Sequence, residues 1–196
     1  MSLEGILNDI KSEMDGKDKR REEIYALGRE LRRNSTRAIR EVHKEDYQAA
    51  TRLLKEAEDI VASLKEADMA HSFVQEALQE YAEAAATIAF LRKEAPPSPK
   101  ALGISSEAYV LGLADAIGEI RRYILDSMRK GEFEEVEYFL DLMDDIYHGI
   151  MAFDYPNALL PIRRKQDVAR MLLEKTRGEV TIALRQAKLE RRMGSD

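Results

Sequence analysis

Two carboxylate pairs stand at helical spacing in separate segments of the sequence. Glu80 and Glu83 are three residues apart, and Asp115 and Glu119 are four residues apart. Residues at these spacings share a helix face, so each pair directs two carboxylates toward one point. If the two helices pack together, four oxygen donors converge, and oxygen donors are the ligands that Mg²⁺ and Mn²⁺ prefer. A cation held there activates water for attack on a phosphodiester.

A solvated helix face is the alternative interpretation of these pairs. The chain has 37 acidic residues, so many pairs at this spacing arise by chance. On a helical wheel Glu80 lies at the edge of an apolar stripe, whereas Asp115 and Glu119 lie opposite theirs. Gly118 stands within the same predicted helix, where glycine costs about 1 kcal/mol relative to alanine. It predicts close approach of another backbone or of a ligand. Spacing alone still favours the solvated face.

Composition limits the class of protein. A length of 196 residues suits one well-buried domain. The absence of cysteine excludes disulfides, thiolate zinc sites and cysteine nucleophiles. No apolar run has the length that a bilayer requires, so a cytoplasmic protein is expected. The net charge of −6 argues mildly against a nucleic-acid-binding protein, which leaves the local distribution of charge to decide.

Nearly the whole chain has helical patterning, interrupted by few glycines and prolines. The sequence therefore predicts an all-α bundle of six or seven helices in one domain, residues 1–196, with residues 1–16 as a loosely attached N-terminal segment. Predicted helices run from after Gly16 to about Val42, from Asp46 onward, from about Met69 to Arg92, from Ser105 to Lys130, from Glu132 to about Met151, and from about Ala158 to Arg192. The last helix is amphipathic, and subunit contact and packing on its own bundle are equally compatible with it.

Arginines recur every three or four residues along the first predicted helix and form one stripe: Arg29, Arg33, Arg37 and Arg40. Such a stripe is suited to a phosphate backbone. The alternative is a solvated face with intrahelical pairs to Glu30 and Glu41. A second basic run, 163–165, opens the last helix, where the helix dipole disfavours cations, so an anionic neighbour is expected.

The histidines allow a further alternative. Asp68 precedes His71 by three residues, and Asp145 precedes His148 by three, a spacing that four-helix di-iron proteins use with glutamate. The shorter acid and the incomplete set of matching glutamates make this interpretation weak. His43 is expected to be a polar residue at a helix end or on the surface, with RNA contact as the alternative.

Several segments, in one collinear order, together resemble the translin family and especially its translin-associated factor X branch. They are residues 27–31, 34–39 with His43, 78–84, 109–121, 145–149 and 162–170, and the resemblance spans about residues 17–192. It implies a seven-helix bundle that assembles into an octameric shell and binds single-stranded RNA and DNA. It also implies Mg²⁺- or Mn²⁺-dependent endoribonuclease activity.

Within that resemblance, Glu80, Glu83 and Asp115 correspond to the catalytic and metal-binding acids, and Glu119 to the nearby glutamate of the second motif. Translin itself lacks the first glutamate pair, so this chain resembles the catalytic branch. It also lacks the long insertion of factor X, which implies a compact prokaryotic or archaeal type that forms a homo-oligomeric shell alone. A non-catalytic single-strand-binding oligomer and a helical scaffold without nucleic-acid function are the alternatives.

Overall fold

A computed structural model of the chain describes residues 2–65 and 72–193, and within them all regular structure is helical. The predicted all-α architecture is confirmed. In chain order the elements are α1 (Leu3–His43), α2 (Tyr47–Lys65), α3 (Ser72–Leu91), α4 (Pro99–Leu102), α5 (Ser106–Lys130), α6 (Val136–Met151) and α7 (Arg163–Met193). No helix within the described residues is long and apolar enough to span a membrane.

Local capping explains where several helices begin and end. The Asp46 carboxylate accepts a hydrogen bond from the Ala49 amide at 2.9 Å, as expected for the start of α2. Ser105 caps α5 by accepting a hydrogen bond from the Ala108 amide at 3.1 Å. Gly131, with a φ of 80°, ends α5 in the left-handed conformation that favours glycine.

Three predicted boundaries are wrong. Helix α1 begins at Leu3 rather than after Gly16, because an exposed glycine within a helix is tolerated at a modest cost. Helix α6 begins at Val136, after a turn, and α7 begins only at Arg163. Proline at 161 delays α7, since the residue before a proline is disfavoured in the α region.

The first half of α1 extends away from the core. Residues 3–23 are almost entirely exposed, and Ile24 is the first buried side chain of this helix. At 1.5 Å per residue, the 41 residues of α1 span roughly 60 Å. The exposed half carries an apolar stripe of Leu3, Ile6, Leu7, Ile10 and Met14. The assignment of residues 1–196 to one domain remains a prediction.

Two buried clusters form the core. One joins α1, α2 and α3 through side chains such as Leu31, Leu64 and Tyr81. The other contains Ile117 of α5 and Phe139 of α6, and it continues into α7. Helices α3 and α5 pack against each other between the two clusters, and each carries one of the predicted carboxylate pairs.

Candidate functional site

A glycine sets the distance between the helices that carry the two acid pairs. A Cβ atom at Gly112 would overlap the Gln79 carbonyl oxygen, and it would lie 2.7 Å from the Ala82 Cβ and 2.8 Å from the Glu83 amide nitrogen. Only glycine therefore allows α5 to approach α3 this closely. Gly118 behaves differently, since no atom lies within 4 Å of the corresponding position. The prediction that another backbone approaches closely at Gly118 is wrong. The backbone of α3 instead approaches α5 at Gly112.

The four predicted acids line one cavity, which we name the acidic cavity. Its volume is about 440 Å³, and it is bordered by helices α1, α3 and α5. Its lining residues are Thr36, Ile39, Arg40, Gln79, Glu80, Glu83, Asp115, Glu119 and Arg122. A second cavity of about 570 Å³, the α7 cavity, shares Glu83, Asp115 and Glu119 with it and is closed by the start of α7.

Asp115 is held by two side chains from other helices. The Lys165 ammonium of α7 donates to both carboxylate oxygens, at 2.6 and 2.7 Å. The Gln79 amide of α3 donates to Oδ2 at 2.5 Å. The side chains of Lys165 and Asp115 are only 25% and 29% exposed. Asp115 is therefore an anionic neighbour of the kind that the sequence predicts for the basic run 163–165.

Two further acids are each paired with a cation or a histidine from α1. Glu80 forms an ion pair with Arg32 at 2.7 Å. Glu119 lies 2.7 Å from His43 Nε2 and 3.6 Å from the Arg122 guanidinium. His43 is the last residue of α1, which agrees with the expected helix-end position, but its side chain is only 4% exposed and so does not lie on the surface.

The two glutamates that lie deepest in the site differ in protonation. Burial, followed by repulsion from Asp115, Glu119 and Glu80, raises the pKa of Glu83 to about 8. The hydrogen bond from His43 lowers the pKa of Glu119, and this effect outweighs the opposing effect of burial. At neutral pH the cavity therefore holds a protonated Glu83 next to an ionised Glu119.

The donor set fits a hard divalent cation in its chemistry. Glu80, Glu83 and Asp115 supply oxygen donors only, which is the set that Mg²⁺ and Mn²⁺ prefer. Burial is the largest cause of the raised pKa of Glu83, and repulsion from Asp115, Glu119 and Glu80 adds to it; a bound cation would relieve that repulsion. In the present conformation, however, no three His, Asp or Glu side chains of residues 2–65 and 72–193 are close enough to hold one metal ion. Binding would require the carboxylates to exchange their present partners.

The predicted arginine stripe is exposed on α1. All of Arg29, Arg33, Arg37 and Arg40 are exposed, and none forms an ion pair within the described part of the chain. The alternative pairing to Glu41 is not formed, because Glu41 binds Lys44 at 2.9 Å. The structure brings Arg40 to the wall of the acidic cavity, while the other three arginines continue along α1 away from it.

Other candidates lie elsewhere in the molecule. Asp145 and His148 are exposed, and His148 lies 3.7 Å from Asp144 instead; a di-iron site would require side chains that project into the bundle. Asp68 and His71 lie outside the described residues. Tyr81 is 2% exposed and packs within the core.

Residue patterns missed four partners of the acids. They are separated from the acids they contact by 36 to 76 positions, and no local spacing rule connects them: Arg32, His43, Gln79 and Lys165. The only available signal was the unfavourable placement of cations at the start of α7. Gln166, which follows Lys165, donates to the Ile150 and Phe153 carbonyl oxygens, both at 2.9 Å. These bonds fasten the start of α7 to the end of α6 and so position Lys165.

Comparisons with known proteins agree with this architecture. The translin family model matches residues 68–178. An uncharacterized protein of Methanocaldococcus jannaschii is 36% identical over 188 residues, which cover 93% of this chain and 85% of the relative. The crystal structure of AfC3PO has a TM-score of 0.84 and 30% identity over 90% of this chain and 96% of that one. The complex of AfC3PO with duplex RNA has a TM-score of 0.81 and 30% identity over 90% and 95%. The chain therefore belongs to the translin family.

Proposed function

We propose that this protein is a metal-dependent endoribonuclease of the translin-associated factor X type, which binds and cleaves single-stranded RNA inside a homo-oligomeric shell. One observation carries the proposal: the acids of both motifs line a single cavity whose wall includes Arg40, the last member of the exposed arginine stripe. A chain of this family thus has a candidate reaction centre directly beside a candidate phosphate track. The predicted cytoplasmic location belongs to the same proposal.

RNA is the ligand class that the arginine stripe fits. From Arg29 to Arg40 it spans about 16 Å along α1, at 1.5 Å per residue, and its exposed guanidinium groups form no ion pair with acids in the described part of the chain. A solved structure shows AfC3PO, at 30% identity, in complex with duplex RNA, which supports RNA as the ligand. Single-stranded RNA remains our proposed substrate, with single-stranded DNA as a further ligand, and duplex RNA is therefore a necessary comparison in any binding test.

Glu80, Glu83 and Asp115 would hold the Mg²⁺ or Mn²⁺ ion. Such an ion supplies charge neutralisation at a non-bridging phosphate oxygen and a lowered pKa for a bound water. The remaining contributions come from the chain itself. Gln79 orients Asp115 through a 2.5 Å hydrogen bond, and His43 orients Glu119 through a 2.7 Å contact. Arg40 lies where it would attract the RNA phosphate toward the acids.

Glu83 is the glutamate best suited to exchange a proton with the attacking water. In the metal-free site its pKa is raised to about 8, near neutral pH, so before the cation binds it can take up or release a proton in the range where proton transfer is most effective. Glu119, whose pKa His43 lowers, is ionised throughout that range. Sequence spacing leaves the base undecided among the three glutamates, and the environment of Glu83 favours it.

Exposed apolar side chains support the assembly of several copies. Helix α7 buries one face in its own bundle and exposes Val168, Met171, Ile182, Leu189 and Met193, which fall on its opposite side. Large exposed apolar stripes mark interaction surfaces. Light scattering of purified protein should give the mass of an oligomer, with eight copies as the resemblance implies, and an Ile182→Ser/Leu189→Ser variant should give a lower mass.

A non-catalytic RNA-binding oligomer is the second candidate, and a specific observation favours it. Glu80, Asp115 and Glu119 each already have a partner within the chain, namely Arg32, Lys165 and His43. Acids that are permanently paired in this way would be structural. The two candidates differ in whether purified protein cleaves labelled RNA when Mn²⁺ or Mg²⁺ is added.

The test compares the wild type with Glu80→Gln/Glu83→Gln, which keeps the shape of the side chains but removes their charge. The matched control is Glu134→Gln/Glu137→Gln, an exposed pair with the same spacing that is distant from the site in sequence. The nuclease proposal expects cleavage by the wild type and the control, none by the first variant, and equal RNA binding by all three. Binding without cleavage by the wild type would establish the second candidate instead.

A further inference from the structure

A protein cation already binds the central acid of the site. The Lys165 ammonium lies 2.6 and 2.7 Å from the two Asp115 oxygens. Both oxygens are therefore engaged by one positive charge, in the way that a bidentate carboxylate binds a divalent cation. Gln79 occupies a further direction around Oδ2, at 2.5 Å. Asp115 has little free coordination capacity while these contacts persist.

The surroundings show that this contact is specific rather than a passing surface pair. Lys165 and Asp115 have side-chain exposures of 25% and 29%, whereas the other lysine pairs within the described residues have lysines that are 45 to 66% exposed. Lys165 also borders the α7 cavity together with Glu83 and Glu119. Its single charge is thus placed among three acids, in the position where a cation is most favourable.

We propose that Lys165 competes with a divalent cation for Asp115, so that cation binding displaces the ammonium from the carboxylate. This inference rests on the proposed function, because it concerns the same acids. A four-carbon stem gives Lys165 the freedom to leave Asp115 without moving α7, and Gln166 keeps the helix start in place. The affinity for the divalent cation then depends on how much more strongly Asp115 binds that cation than it binds the Lys165 ammonium.

The competition explains why oxygen donors share a cavity without converging on one point. Lys165 draws Asp115 toward α7, while Arg32 draws Glu80 toward α1 at 2.7 Å. Each of these two acids is therefore neutralised by a cation from a different helix. Removing the charge at 165 frees Asp115 and increases the net negative charge around the cavity, and both changes favour a divalent cation.

The experiment measures Mn²⁺ affinity directly, by electron paramagnetic resonance of free Mn²⁺ in the absence of RNA. Lys165→Met should bind Mn²⁺ about tenfold to a hundredfold more tightly than the wild type, since a charged hydrogen bond no longer has to be broken. Lys165→Arg, which keeps the cation, should bind no more tightly than the wild type. Lys175→Met is the matched control, because it removes the same charge from the exposed side of α7.

The outcomes separate this inference from the proposed function. Asp115→Asn should abolish Mn²⁺ binding in both the wild type and the Lys165→Met background. If the wild type binds Mn²⁺ through Asp115 and Lys165→Met binds it equally tightly, the proposed competition by Lys165 is wrong, but the proposed metal site is supported. If neither protein binds Mn²⁺, the metal site itself is wrong, and the inference falls with it. Circular dichroism of each variant establishes that the helices are retained.

Discussion

The acidic cavity and the arginine stripe are both built from charged residues at helical spacing, but their charges differ in burial and in pairing. In the cavity the charges are half-buried, and Asp115 and Glu119 have partners at 2.6 to 2.7 Å from other helices. Along α1 the arginines are exposed and lack acid partners within the described residues. Paired charges set protonation and geometry, whereas unpaired charges remain available to a ligand.

This difference has an energetic basis. Exposed charges contribute little to folding, typically about 0 to 1 kcal/mol for each pair, so the arginines of the stripe are free to vary without cost to the fold. Half-buried carboxylates lose hydration and must recover it from hydrogen bonds or cations. Glu83 forms no hydrogen bond or ion pair with the residues that the structure describes, and its raised pKa means that it retains a proton instead.

The largest effect that would test this contrast is on RNA affinity. Arg33→Glu/Arg37→Glu should weaken RNA binding about a hundredfold at low salt, and it should make the slope of log K against log salt shallower by about 1 to 2. Fluorescence anisotropy over a salt series measures both quantities. The Arg185→Glu/Lys188→Glu variant of α7 is the charge-matched control. Equal losses in the two variants would show that only net charge matters and that the stripe has no special role.

A second prediction concerns the helix contact that joins the acid pairs. Gly112→Ala should lower the free energy of unfolding by about 1 to 3 kcal/mol, because the new methyl group would overlap the backbone of α3. Gly118→Ala should instead raise it by roughly 0.5 to 1 kcal/mol, since the position is helical and open. Urea denaturation of both variants measures the two signs. A neutral Gly112→Ala would contradict the close approach.

A third prediction follows from the pKa of Glu83, which is raised from 4.5 to about 8. The folded state binds this proton more tightly than the unfolded state, so the contribution of Glu83 to stability is greatest below about pH 4.5 and declines as the pH rises to 8. Glu83→Gln removes that decline. It should therefore be more stable than the wild type by about 1 to 3 kcal/mol at pH 8, and nearly equal to it at pH 4.5.

Thermal unfolding at both pH values and at fixed protein concentration measures this difference. Glu137→Gln, on the exposed side of α6, should show no such dependence. A Glu83→Gln variant whose stability relative to the wild type is independent of pH would mean that the pKa of Glu83 is not raised in the folded protein, and the reason for preferring Glu83 as the proton-exchanging group would be lost.

Sequence patterning predicts the local features of this fold well. Capping residues such as Asp46 and Ser105 act on the next turn of the chain, so their effects are visible in a short window. Prediction fails where a boundary depends on its surroundings. The sequence does not show that Gly16 is tolerated inside a helix that extends from the bundle, because nothing packs against it there.

The site was predictable in its residues but not in its electrostatics. Spacing and family resemblance select the four acids, and their shared cavity follows once α3 and α5 pack. Their partners come from other helices, and two of them, His43 and Lys165, lie 76 and 50 positions from the acids they contact. Protonation depends on these long-range contacts, so the raised pKa of Glu83 has no counterpart in any local pattern. The close approach of α3 and α5 is also a long-range contact, so the sequence does not show that glycine is required at Gly112 rather than at Gly118.

The most direct test of the account is cleavage of labelled single-stranded RNA by purified protein, with Mn²⁺ or Mg²⁺, with EDTA, and with a duplex of the same sequence as a second substrate. The account predicts cleavage of the single strand that needs the metal. That cleavage should fall at least about a hundredfold in Glu80→Gln/Glu83→Gln and remain unchanged in Glu134→Gln/Glu137→Gln, while all three proteins bind RNA equally. Cleavage that persists in EDTA, or that survives loss of Glu80 and Glu83, would contradict it.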